Sequence, residues 1–478
     1  MDQHELDKER FERVKKIVEA VEIKEVETNK KNIQDKVDNI LTNKWLGLLI
    51  FAIVMFLVFW ISQVGPGVWI AEGYEFESGF TIPGLVTLIE MFGEWVGGFF
   101  ENDGLIKSIL VDGIIGGVGA VIGFLPLVMV MYFLIDLLED CGYMARVSVV
   151  LDPFFKKVGL SGKSVIPFVI GTGCAIPGVM ACRTIKDERE RTSTAMLAPF
   201  MPCGAKLPVI ALFAGAFFSE SAWVGPIMYF VGIIIIFVCA LIIKMLTGAK
   251  YKKSYFIIEL PEYKVPSCLK ALKSMLSRGW AYIVKAGTII LVCNFAVILM
   301  QSFNWRFEYV EDINQSILHD IATPFGYIIA PFIGVAVWQL AAAAVTGFIA
   351  KENVVATLAV AFVGLENFTS NEEAAGVIAI TKVAALAYLM FNLFTPPCFA
   401  AIGAMHSEIK EKKWFWGGIG LQLGIGYSVA FLVFFFGTLF TSSNFGSIWM
   451  PIVGWVITLV FVGIIIYLIR KNQLKYNK

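Results

Sequence analysis

Histidine is nearly absent and charge is scarce. Three histidines among 478 residues are too few for a His-cluster metal site. Charged residues make up only 16% of the chain, against roughly a quarter in soluble domains. Lys+Arg and Asp+Glu number 39 each, so the balance suggests neither a nucleic-acid surface nor a generic acidic partner. No secretory leader is expected, because the first apolar block begins near Trp45 after a long charged stretch. The cysteines (141, 174, 182, 203, 239, 268, 293 and 398) lie in or beside apolar runs, which excludes a disulfide framework. Gly159-Leu160-Ser161-Gly162-Lys163-Ser164 looks like the end of a phosphate loop. Lys157 stands where that motif needs glycine and no strand precedes it, so no nucleotide-binding motif survives and no enzyme is expected.

What remains is apolar: 57% of residues are hydrophobic and the mean hydropathy is +0.73. At least eight blocks approach the roughly 20 residues of a membrane span. The expected fold is therefore all-α, a polytopic helical membrane protein. Residues 1–44 carry ten Lys/Arg and eleven Asp/Glu, with Phe11, Val14, Ile17, Val18 and Val21 at helical spacing, and read as a cytoplasmic amphipathic helix. Residues 45–104 hold the first span and a segment with seven acidic residues and no Lys or Arg, expected outside. Residues 244–280 read as a Lys-rich cytoplasmic connector, and 439–478 as a final span with a basic inner tail. Both termini are then cytoplasmic.

Two halves, 105–243 and 281–438, each hold a Gly- or Pro-interrupted span carrying cysteine. Corresponding broken helices point to a midplane site between pseudo-repeats. The block 165–182 is short, broken by Gly171, Gly173 and Pro177, and flanked by positive charge on both sides. It reads as a re-entrant hairpin, tolerable only where protein or a water-filled cavity satisfies its backbone. Residues 322–364 read as a pair of spans or a second hairpin.

Buried cysteine is ordinarily a small hydrophobe, and Cys239 and Cys293 read that way. Cys174, Cys203 and Cys398 differ, because each lies beside a Gly or Pro break that frees backbone carbonyls. Thiolates there could join the carbonyls around a soft or borderline cation. Glu139 and Asp140 close a span near Arg146. They are either a solvated helix end paired to Arg146 or, if deeper, a cation site. Lys206 and the pair Lys351-Glu352 stand in apolar surroundings and are expected to be paired within the bundle. His406 and Glu408 read as a solvated helix end.

Three strings resemble the membrane domain of FeoB-type bacterial ferrous iron transporters, with its two Gate, or nucleoside-recognition-like, repeats. They are LEDCGYMARVSVVLD (138–152), the run from Gly159 to Val209 and GFIAKENVVATL (347–358), with a weaker tail at 394–408. The likeness extends upstream to 35–47. It implies Fe²⁺ import across a bacterial inner membrane, with Cys174, Cys203 and Cys398 lining the permeation path and no cofactor in this chain beyond Fe²⁺ as substrate. Cys141 stands where the family usually has Ser, and Lys206 where it usually has Arg. Family members begin with a GTP-binding domain, which implies either a separate GTP-binding protein docking on residues 1–44 or GTP-independent transport.

The expected protein is a multi-pass, homo-oligomeric importer of a divalent transition metal. Its site is Cys174, Cys203 and Cys398 with Glu139 and Asp140 towards the cytoplasmic mouth, supported by Arg146, Lys206, Lys351 and Glu352. A carrier of a nucleoside or another solute is the alternative on the same fold, and a non-transporting, partner-binding membrane subunit is the alternative from another class.

Overall fold

A computed structural model describes residues 12–14, 16–17, 33–43, 45–75, 81–99, 108–218, 223–247, 263–306, 308–310, 313–351, 353–361, 380–441 and 449–476. Its helices are α1 (Ile33–Leu41), α2 (Leu46–Gln63), α3 (Pro66–Glu72), α4 (Leu85–Gly97), α5 (Gly116–Asp140), α6 (Tyr143–Val158), α7 (Val165–Gly173), α8 (Ala175–Ala181), α9 (Glu188–Leu197), α10 (Leu207–Phe217), α11 (Val224–Leu246), α12 (Cys268–Tyr282), α13 (Thr288–Ser302), α14 (Ile317–Ile333), α15 (Trp338–Ile349), α16 (Asn353–Ala361), α17 (Lys382–Phe394), α18 (Phe399–Glu408), α19 (Lys412–Thr441) and α20 (Trp449–Tyr476). One two-stranded hairpin, β1 (Gly73–Glu75) against β2 (Thr81–Pro83), is the single departure from helix among the named elements.

Among the described residues, seven helical segments are long and apolar enough to cross a membrane, and an eighth is the pair α14–α15, bent by 103°. The protein is thus a polytopic helical membrane protein. Lipid supplies no hydrogen-bond partner, so the backbone must satisfy itself within helices. Segments buried inside protein can afford irregularity, and the breaks lie there: 78% of the α17–α18 window is buried, against 11% of the outermost helix α20.

Each half contains a hairpin and a broken span. In the first half, α7 and α8 fold back on each other about Cys174, and the span α9–α10 is interrupted over Met201–Cys203. In the second, α15 and α16 meet about Ala350-Lys351, and α17–α18 is interrupted at Thr395–Cys398. The α7–α8 hairpin closes because its arms meet through glycine. A Cβ on Gly178 would lie 2.7 Å from the Gly171 Cα and 2.9 Å from the Pro167 carbonyl oxygen. Backbone cannot step aside as a side chain can, so Gly178→Ala should cost on the order of 1–3 kcal/mol. The expected readout is a lower melting temperature in detergent, while Gly225→Ala, with nothing within 4 Å, leaves it unchanged or higher.

Two segments differ from the sequence reading. Within 64–104, α4 is a packed helix: Cβ positions on Gly93, Gly119 and Gly123 would touch Ile115, Ile89 and Val86 respectively, so α4 runs antiparallel along the start of α5. Its exposed face carries Leu88, Met91, Phe92 and Trp95, an apolar surface suited to lipid. Lack of Lys and Arg bears on the side of the membrane and does not distinguish a loop from a packed helix. The boundary drawn at 280/281 falls inside helix, because α12 continues through Ile283–Gly287 into α13.

Candidate functional site

All four breaks converge on one cavity. It is lined by Cys174 and Ala175 from the first hairpin, Cys203, Ala205 and Lys206 from the first broken span, Ala350 and Lys351 from the second hairpin, and Pro397 and Cys398 from the second broken span. Phe124 of α5 and Tyr282 of α12 complete the wall. Its volume is about 30 Å³, room for a single water or ion.

The breaks arise locally. Cys174 sits in extended backbone, φ −148° and ψ 133°, between two helices. Cys203 precedes the turn Gly204–Lys206 with φ −93° and ψ 166°. Pro396 and Pro397 cannot donate backbone hydrogen bonds, so α17 ends at Phe394 and α18 starts only after Cys398. The first hairpin also fits against α5 at Gly173, where a Cβ would fall on the Met131 sulfur, 1.5 Å away.

Buried lysines tie the broken ends together. Lys206 Nζ donates to the Pro199 carbonyl at 3.1 Å and to the Leu393 carbonyl at 2.6 Å, one from each repeat. Lys351 Nζ donates to the Asn392 carbonyl at 3.3 Å and to Thr395 Oγ1 at 3.2 Å. Three of these four acceptors are carbonyls at the ends of interrupted helices, where helical donors run out, and the fourth is the Thr395 hydroxyl. Glu352 lies outside the described residues. The sequence reading expected pairing in the bundle, and the observed partners of these lysines are largely carbonyls.

The structure brings Cys174, Cys203 and Cys398 to one wall, but the described residues contain no group of three His, Cys, Asp or Glu spaced to hold a metal ion. The three thiols line the cavity and do not form a closed cage among the described residues. None of the eight cysteines is in a disulfide. Cys182 and Cys239 are wholly buried.

Glu139 and Asp140 do not reach the thiols. Glu139 is exposed and lines a second cavity of about 260 Å³, together with Tyr132, Ile176, Arg278 and Tyr282. Ile176 and Tyr282 line both cavities, so the larger one, the vestibule, adjoins the smaller across these two side chains. Asp140 Oδ2 instead accepts from the Ser267 backbone N–H at 3.0 Å.

Arg146 is neither a partner of these carboxylates nor part of the cavity. It is 2% exposed, donates through Nε to Asp38 Oδ1 at 2.6 Å and through Nη1 to the Gly142 carbonyl at 2.8 Å, and lies 3.6 Å over the Tyr263 ring. Tyr263 donates to the same Asp38 oxygen at 2.7 Å. The bond to Arg146 holds the Asp38 carboxyl below the usual carboxylate range, and burial, then the bond to Asp38, pushes the Tyr263 phenol up to about 12. This clasp joins α1, α6 and the connector, segments 108 and 225 residues apart along the chain. Glu408 is likewise not solvated: it is 5% exposed and accepts from Arg183 Nε.

Sequence reasoning also missed Phe124 and Tyr282, whose apolar neighbours give no pattern to separate them from core. The Gly159–Ser164 run is structural: Gly162 N–H donates to Asp152 Oδ1 at 2.9 Å, and the Ser164 and Thr194 hydroxyls lie 2.9 Å apart.

Two family descriptions match the chain. Gate, described as nucleoside recognition, covers residues 121–217 and 283–412, and the ferrous iron transport protein B C terminus covers 226–278. The Gate segments take in all four breaks. An Fe(2+) transporter FeoB of Staphylococcus aureus strain COL is 34% identical over 424 residues, 86% of this chain and 60% of the relative. One of Methanocaldococcus jannaschii is 33% identical over 90% of this chain and 62% of its own length, and one of Campylobacter jejuni 35% over 82% and 64%. The chain therefore spans about three fifths of these curated relatives. No solved structure matches.

Proposed function

We propose that this chain, which is an FeoB-type membrane domain, imports Fe²⁺ through the cavity where its four helix breaks meet. The single observation that carries the reading is that convergence: helix breaks from both repeats bring three thiols to the wall of a space the size of one ion. A dication in a dry bundle faces a prohibitive desolvation cost unless anionic or dipolar ligands replace its water. Thiolates suit a borderline metal better than Mg²⁺ or Ca²⁺. The relatives' name, Fe(2+) transporter, supports Fe²⁺ as the cargo.

In this reading the ion passes among Cys174, Cys203 and Cys398, slips by Ile176 and Tyr282, and leaves through the vestibule beside Glu139. The Lys/Arg-rich end, which carries Arg183, Lys156 and the Asp38–Arg146 clasp, faces a bacterial cytoplasm, as do both termini. The pseudo-repeats are 105–243 and 281–438. Energy coupling through a GTP-binding protein docked on residues 1–44 belongs to the same reading, as does self-association. The clasp supports the docking, since it ties α1 to α6 and to the connector.

The size of the central cavity argues against a nucleoside, which needs several hundred Å³. The test is uptake of radioactive Fe²⁺ into liposomes holding this chain, with and without internal GTP, and with Mn²⁺, Zn²⁺ and uridine as competitors. Fe²⁺ flux that uridine does not inhibit is expected. Uridine flux, or no Fe²⁺ flux even with a GTP-binding partner added, overturns the proposal.

A further inference from the structure

Asp136 is a buried carboxylate beside the vestibule, next along its helix to the lining residues Tyr132 and Glu139, that the route above does not use. It lies on α5 between Tyr132 and Glu139, four residues after one and three before the other, so the three share a helix face. Tyr132 and Glu139 line the vestibule. Asp136 is 8% exposed; its Oδ1 accepts from Arg278 Nη1 at 2.9 Å, and its Oδ2 is buried without any hydrogen-bond partner. A buried carboxylate oxygen left open carries a desolvation cost that calls for a missing ligand. The guanidinium opposite is tethered to α12, rests 5.7 Å over the Tyr132 ring, and is 43% exposed, so it is free to swing outward.

We propose that Asp136 and Glu139 form a second divalent-cation station in the vestibule, in which Arg278 stands in for the cation until one arrives. Side chains at i and i+3 of a helix are close enough for one dication to bridge, with water completing its shell. Oxygen ligands make this station less discriminating than the thiol cavity, accepting Mn²⁺ as readily as Fe²⁺. An ion that has passed Tyr282 exchanges with Arg278 at Asp136, and the returning guanidinium expels it. Binding at the station does not depend on the transport reading; only its place as the exit step does.

The test uses the full chain in detergent with Cys174, Cys203 and Cys398 all replaced by Ser, titrated anaerobically with Mn²⁺ and followed by electron paramagnetic resonance. One Mn²⁺ per chain is expected to remain bound. Asp136→Asn should weaken it at least tenfold and Glu139→Gln by less. Arg278→Gln should tighten it severalfold, because a tethered competitor is gone. Unchanged binding in Asp136→Asn, or weaker binding in Arg278→Gln, overturns the station. Should Asp136→Asn fail to fold, Glu139→Gln and Arg278→Gln, both at exposed positions, decide the matter. Full Fe²⁺ uptake by the triple-serine protein would sink the thiol route and leave the station standing; Mn²⁺ binding indifferent to all three variants would do the reverse.

Discussion

Fe²⁺ uptake should fall on the order of 100-fold when Cys174, Cys203 and Cys398 are replaced together by serine, which corresponds to about 2.8 kcal/mol. Serine is close to cysteine in shape but replaces the soft, readily ionised sulfur with a hard hydroxyl that stays protonated. The three thiols come from different breaks, two in the first repeat and one in the second. They do not form a closed triad among the described residues, so each is expected to serve at a different moment of passage. Single substitutions should then slow uptake by differing amounts, and the triple variant should be slower than any of them. The measurement is the initial rate of radioactive Fe²⁺ entry into liposomes, alongside the melting temperature of each variant. Uptake unchanged in the triple variant would remove the thiols from the path.

The thiols were legible in the sequence because their cause is local: Gly173, Gly204 and the Pro396-Pro397 pair interrupt helices wherever they fall. The first hairpin was legible for the same reason, with Lys163 and Arg183 marking the flanks. Partnerships across the fold were not. No sequence pattern links Arg146 to Asp38, since that partner lies 108 residues upstream. Asp136 sits inside an apolar span, and its counter-ion arrives on α12 through packing that no spacing announces. The lysines illustrate a subtler failure. A charge in an apolar run suggests an opposite charge elsewhere, yet Lys206 is satisfied by two carbonyls that exist as acceptors only because two other helices break. Charge counting on the chain cannot see acceptors that tertiary structure creates.

The two lysines should prove separable, and Lys351→Met should bind Fe²⁺ more tightly while moving it more slowly. With the three thiols ionised and both lysines protonated, the described lining groups carry a formal charge of −1 when empty and +1 with Fe²⁺ aboard. Removing one ammonium shifts these to −2 and 0, which favours the loaded state. A permeation site must be attractive enough to enter and weak enough to leave; excess attraction traps the ion. An affinity gain on the order of tenfold, about 1.4 kcal/mol, is expected by anaerobic titration, with a comparable loss of uptake rate at saturating Fe²⁺. Lys351 suits this test because its contacts are the longer ones, 3.2 and 3.3 Å, and Thr395 Oγ1 also reaches the Asn392 carbonyl. Lys206→Met should behave differently. It leaves the Pro199 and Leu393 carbonyls without this donor in a buried site, at about 1–3 kcal/mol each, and should lower the melting temperature by several degrees before any effect on the ion can be read. Weaker Fe²⁺ binding in Lys351→Met would mean that the ammonium serves chiefly to keep the neighbouring thiols ionised, and that the charge balance of the empty site, not the release of the loaded one, limits transport.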